Sequence, residues 1–166
     1  YWKNKKVFMT NLDVLQMLYK FKPKALNPVD VHFRYNNTNY VLLALIVEKV
    51  SGMQFCDFMH QNIFIPLGML DTWYYDPLSV RNSATKGYKG SHWNEDEIVY
   101  TDGVLGDKGI YSTVRDLYKW DQALYTDKLV KKSTFQEAIT PGKLNNGEPT
   151  KYGFGWFIDE PGKTVS

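Results

Sequence analysis

Apolar positions in the first third of the chain recur at helical spacing. Leu12, Leu15, Leu18 and Tyr19 follow Thr10-Asn11-Leu12-Asp13, a hydroxyl with an acidic residue three positions on, so the pattern predicts a helix from about Asn11 to Phe21, stopped by Pro23. Lys24 to Phe33 holds Pro28 and no period, and reads as a connection. From Thr38 to Ser51 the chain is apolar nearly all round and ends at Gly52, which describes a short buried helix with a glycine C-cap. Gln54 to Ile63 repeats the helical pattern with Phe55, Phe58, Met59 and Ile63 on one face, and Pro66 is expected to end it. Leu42, Leu45, Ile46, Phe55, Phe58 and Trp120 are expected to be buried.

The pattern changes after Gly68. Glycines and short aromatic stretches up to Ser112 read as loops. Thr113-Val114-Arg115-Asp116 repeats the capping pattern, and Leu117, Trp120, Ala123 and Leu124 then form the expected buried face of a helix to about Tyr125. A shorter helix is expected near Ser133 to Ile139. Tyr152-Gly153-Phe154-Gly155-Trp156-Phe157-Ile158 alternates large residues with glycines, which predicts a strand whose glycine face admits another backbone closely. No second strand of similar strength follows it, so the sheet it would join is expected to lie largely outside these 166 residues.

Composition narrows the classes. A chain of 166 residues with 43% hydrophobic content can bury a core. The net charge of +2 is spread without a long basic block, so nothing asks for a nucleic-acid partner. The longest apolar run, Tyr40 to Val47, is far below the roughly 18 residues of a membrane span. Cys56 is the single cysteine, and His32, His60 and His92 are widely separated, which excludes an intrachain disulfide and leaves no metal signature. No cofactor is expected. The 16% aromatic content reads as core rather than as a sugar-stacking surface.

Two short motifs bear on covalent chemistry. Ser83-Ala84-Thr85-Lys86 has the Ser-x-x-Lys spacing that sets a hydroxyl one helical turn from a lysine able to take its proton, but it lies in a glycine-bounded stretch that would not hold the pair rigid. Tyr35-Asn36-Asn37 is a Tyr-x-Asn triplet that chance alone produces in a chain of this composition. Asn36-Asn37-Thr38 also fits the three-residue glycosylation sequon, a pattern of low specificity. What gives the Tyr-x-Asn triplet weight is its surroundings. Phe33 to Gly52 resembles the β-lactamase-related serine hydrolases and penicillin-binding proteins through the whole loop and following helix. Ile63-Phe64-Ile65-Pro66-Leu67-Gly68-Met69, then Gly109-Ile110-Tyr111-Ser112-Thr113 with Asp116-Leu117, then Tyr152-Gly153-Phe154-Gly155-Trp156 are similar to that family in the same order.

The resemblance implies an α/β (α+β) class, a β-lactamase/transpeptidase-like fold of which this chain is mostly the helical region plus one sheet strand. It implies that residues 1–166 are part of a single domain lacking the nucleophile segment and the C-terminal strands. It also implies three active-site elements: Ser-x-x-Lys, then Tyr-x-Asn, then a Lys/His-Thr/Ser-Gly triplet. Tyr35 and Asn37 carry over as catalytic residues; the first element would fall before Tyr1 and the third just after Ser166. Lys163-Thr164-Val165 imitates the third, but Val165 replaces its glycine. Asn36 stands where the family commonly has Ser or Ala, and Pro28-Val29 where it has Pro-Gly.

In the implied mechanism a serine attacks a carbonyl to form an acyl-enzyme. A free phenol titrates near pH 10, so a tyrosine needs a neighbouring ammonium to move protons at neutral pH. The resemblance therefore implies a proton relay at Tyr35, and at Asn37 an amide holding lysine on one side and substrate on the other. A capping Tyr-Asn pair at the start of the helix is the competing structural role. The expected partner is a small-molecule or peptide substrate, a D-Ala-D-Ala peptide, β-lactam or ester, met in the periplasm or outside the cell. The alternatives are a catalytically inactive penicillin-binding-like binding protein and a helical interaction module.

Overall fold

The computed structural model describes residues 6–75, 87–90, 94–95, 99–160 and 164–165. The chain divides into two compact units, one built from residues 1–22 and 36–116 and the other from residues 23–35 and 117–166.

The first unit is helical in its body. Helix α1 (Asn11–Phe21) opens with the complete capping box: Asp13 N–H donates to the Thr10 hydroxyl at 3.2 Å and Thr10 N–H to the Asp13 carboxylate at 2.8 Å. It ends at Lys22, in the left-handed conformation at φ 41°, just before Pro23. Helix α2 (Asn37–Ser51) ends at Gly52, also left-handed at φ 71°, a conformation glycine adopts without strain. Helix α3 (Phe55–Met59) runs through a π turn (His60–Phe64) into a last turn, α4 (Ile65–Leu67). Pro66 does not end the helix. It lies in the last turn, directly after the π turn, and Gly68 at φ 69° makes the stop.

Met9, Val41 and Val104 form a buried cluster with Val14, Met17 and Tyr100 packed on it. Asn11 locks this corner, donating from Nδ2 to the Leu105 carbonyl at 3.0 Å and accepting the Leu105 N–H at 2.8 Å. Gly106 lies so close to α2 that a Cβ there would collide with the Tyr40 carbonyl and stand 2.9 Å from Ala44 Cβ. These contacts choose Val41 and Ala44 as the buried face of α2. Of the expected core, Phe55 is buried and Leu42, Leu45, Phe58 and Trp120 are half-buried, whereas Ile46 is 55% exposed. A helix apolar all round has no stripe to announce which side will be covered. Leu12 and Leu15 on α1 and Leu117 on the later helix are likewise exposed.

The unit also holds two antiparallel ladders. Strand β1 (Trp73–Tyr74) pairs with β4 (Ile110–Tyr111), and β2 (Tyr88–Lys89) with β3 (Asn94–Glu95). Phe55 and Phe64 pack on Tyr74 with ring centroids 5.4 and 6.3 Å away. The dividing point between the units falls within α5 (Val114–Leu124).

In the second unit Ala123 and Ile158 are buried and α6 (Lys132–Ala138) is followed by a bend at Thr140, just before Pro141-Gly142. The predicted Tyr152–Ile158 strand is a folded-back turn instead. Gly155 takes φ 86°, Gly153 N–H donates to the Trp156 carbonyl at 2.9 Å, and Tyr152 pairs with Phe157 in an isolated antiparallel bridge. The close approach expected at the glycines is real: a Cβ on Gly153 would collide with the Ala138 carbonyl at the end of α6. Extended pairing begins only at β5 (Ile158–Glu160), which pairs with β6 (Thr164–Val165).

Candidate active site

The Tyr-x-Asn triplet stands at the start of α2, and its three residues have different roles in the structure. Asn36 is the N-cap: extended at φ −152° and ψ 112°, it accepts the Thr38 N–H on Oδ1 at 2.9 Å. Of the two residues the resemblance implies at this position, Ser could accept the same bond and Ala could not. The capping role considered for Tyr35 and Asn37 falls instead to the residue between them.

Tyr35 and Asn37 are both exposed, and among the described residues neither side chain makes a hydrogen bond. The division between the two units falls directly after Tyr35. Within the second unit the Tyr35 ring stacks on Phe157, centroids 5.7 Å apart at 24°, and meets Tyr152 edge-on at 5.8 Å. Tyr152 and Phe157 meet each other at 4.9 Å, and Phe33 adds a fourth ring 5.2 Å from Tyr152. The Tyr35 ring is therefore held by aromatic packing that leaves its hydroxyl outside the hydrogen bonding of the described residues. Sequence reasoning missed Tyr152 and Phe157 as neighbours of Tyr35. The glycine spacing at 153 and 155 was the available signal, because a turn there brings residues 152 and 157 together.

Asp116 was expected only as a local cap. Its N–H does donate to Thr113 Oγ1 at 3.2 Å, but its carboxylate is fully buried and also accepts the Asp71 N–H at 2.8 Å and the Thr72 hydroxyl at 2.9 Å. The Thr72 and Ser112 hydroxyls share a further bond at 2.8 Å. This knot fixes the β1–β4 ladder to the start of α5.

Ser83, Lys86, His92 and Lys163 lie outside the described residues. Among the described residues, no group of three or more His, Cys, Asp or Glu side chains is placed to hold a metal, and no helix is long and apolar enough to cross a membrane. A concavity of about 590 Å³ in the second unit is lined by Trp120, Leu124, Phe135, Ile139 and Trp156 with Asp121 and Lys132 at hand. It contains no serine, threonine or cysteine that could act as a nucleophile.

The comparisons with known proteins identify the family and the fold. The sequence model of the Beta-lactamase family matches residues 5–165, so the chain belongs to that family and carries the β-lactamase/transpeptidase-like fold. It is similar to a penicillin-binding protein of Bacillus subtilis (strain 168), with 37% identity over 183 aligned positions, 99% of this chain and 40% of that protein. A D-aminopeptidase of Brucella ovis is 26% identical over 79% of this chain and 25% of its own length. The crystal structure of a penicillin-binding protein from Bacillus halodurans superposes with a TM-score of 0.71 and 26% identity, covering 92% of this chain and 48% of that one. The chain thus spans less than half the length of these relatives.

Proposed function

We propose that this chain is the Tyr-x-Asn region of a serine hydrolase that forms an acyl-enzyme on an amide or ester carbonyl. The observation that carries the reading is the division of labour in the triplet. Asn36 alone caps α2, so the Tyr35 hydroxyl and the Asn37 amide are left to other partners. In the proposed reaction the Oγ of a serine preceding Tyr1 bonds to the carbonyl carbon while its proton passes through the lysine–Tyr35 pair. The C–N or C–O bond then breaks and the leaving group takes that proton. Water next attacks the acyl ester and gives a proton to the same pair, which passes it to the serine Oγ as the C–Oγ bond breaks and the acid is released. Asn37 offers a donor and an acceptor, which suits holding the lysine and a substrate amide together.

D-Ala-D-Ala peptides, β-lactams and esters are the substrate class, and a site in the periplasm or outside the cell is the setting. The similarity to a D-aminopeptidase supports an amide carbonyl as the point of attack. A fluorophosphonate or labelled penicillin followed by intact mass tests the reading. The whole protein is expected to take one adduct on a serine before Tyr1, and the 166-residue chain none. An adduct on Ser83 would reassign the nucleophile. A whole protein that binds the penicillin reversibly without an adduct would be a binding protein that keeps the pocket.

A further inference from the structure

A buried polar side chain that directs its hydrogen bonds at backbone fixes geometry as well as stability. Asn11, the first residue of α1, is such a side chain. It is 9% exposed; its Nδ2 donates to the Leu105 carbonyl at 3.0 Å and, at a longer 3.4 Å, to the Val41 carbonyl, while its Oδ1 accepts the Leu105 N–H at 2.8 Å. Its own backbone is held on both sides, by the Thr10–Asp13 box and by the Met9 N–H donating to the Tyr100 carbonyl at 2.8 Å. The start of α1, the loop at Leu105 and helix α2 thus meet through one amide. Gly106 closes the contact from the loop side at φ 102°, where a Cβ would strike the Tyr40 carbonyl.

The clamped face of α2 carries Val41 and Ala44, 3% and 2% exposed. Asn37 stands four residues before Val41 and seven before Ala44, so it lies on that same face, one turn beyond the clamp. We infer that Asn11 is a positioning residue for the acyl-transfer site: it acts through Asn37, setting where along and around its axis α2 delivers that amide. The inference rests on the catalytic reading of Asn37. Hydrophobic contact is non-directional, whereas the Asn11 amide holds α2 in register with the loop. Chemistry needs its groups within about 0.5 Å of the productive place, and the bond to Val41 reaches α2 one turn from Asn37.

The test is a double-mutant cycle in the whole protein, with kcat and KM on a reporter ester measured well below the melting temperature of every variant. Asn11→Ala is expected to lower kcat by roughly 10-fold to 100-fold, the scale of a misplacement of about 1 Å. In the Asn37→Ala background the same change should cost less than about twofold, because the group it positions is gone. Acylation by a fluorophosphonate, followed by intact mass over hours, extends the cycle to variants too slow for turnover. Asn11→Ser, which leaves a smaller hole and one hydroxyl, replaces an Ala variant that does not fold. Losses that multiply in the double variant, or a folded Asn11 variant with the kcat of wild type, would overturn the inference and leave Asn11 a structural residue. Asn37→Ala with full activity is a different failure: it would overturn the catalytic reading of Asn37, and the inference with it.

Discussion

The Asp116 knot and the Tyr35–Asn37 corner are both rich in polar groups, yet they handle them in opposite ways. Asp116 is fully buried, with a backbone N–H and a threonine hydroxyl directed at its carboxylate. Tyr35 and Asn37 are exposed, and the residue between them supplies the side-chain cap of α2. A buried polar group must be satisfied or it costs stability, so closure of the knot marks a structural role. Polar groups left open at a helix start, on a ring fixed by aromatic neighbours, are what a site for an external partner requires.

The largest effect expected from this contrast is at the knot. Asp116→Ala would take the carboxylate acceptor from the part-buried Asp71 N–H and leave the Thr72 hydroxyl with Ser112 alone, and should cost about 3 kcal/mol. Asp116→Asn, which keeps an acceptor, should cost less. Urea unfolding of the two variants measures the difference. Near-equal losses would mean that packing, not hydrogen bonding, holds this corner.

A second contrast sets the buried Tyr74 against the exposed Tyr35. Burial first, and next the Cys56 thiol, whose thiolate would repel a phenolate, push Tyr74 well above the usual tyrosine range. The folded state then holds this proton more tightly than the unfolded chain. The stability linked to it is complete below the unfolded pKa near 10 and is lost as pH rises past it, by up to about 1.4 kcal/mol per pH unit. Tyr74→Phe should flatten that alkaline loss relative to wild type in unfolding measured from pH 8 to 11. An unchanged slope would remove Tyr74 from the interior.

The smallest effect is at the cap. Asn36→Ala should cost about 1 kcal/mol and Asn36→Ser only a few tenths, read by thermal unfolding. A large loss with Ser would show that Asn36 does more than cap.

Local chemistry was legible in the sequence and long-range choice was not. The Thr10–Asp13 box, the Gly52 stop and the bounds of α1 and α2 follow from residues within a few positions of one another. The Asp116 partners lie 44 and 45 residues away, and no local pattern points to them. The face that α2 buries is chosen by Gly106 and Val104, which approach from a loop. The 152–158 segment was misread because alternation is blind to the sign of φ, and Gly155 at φ 86° turns what would have been a strand. At the site, Tyr35 and Asn37 were named from the surrounding family resemblance, whereas the aromatic support of Tyr35 needed the turn that the alternation concealed.

The most direct test of the central claim is the kinetics of Tyr35→Phe in the whole protein on a reporter ester or β-lactam. The ring and its stacking on Phe157 survive that change, and only the hydroxyl is lost. General acid–base catalysis is worth roughly 10² to 10⁴ in rate, so kcat should fall by that factor while KM moves by no more than a few fold. A kcat within a few fold of wild type would contradict the account and make Tyr35 a structural residue of the aromatic group.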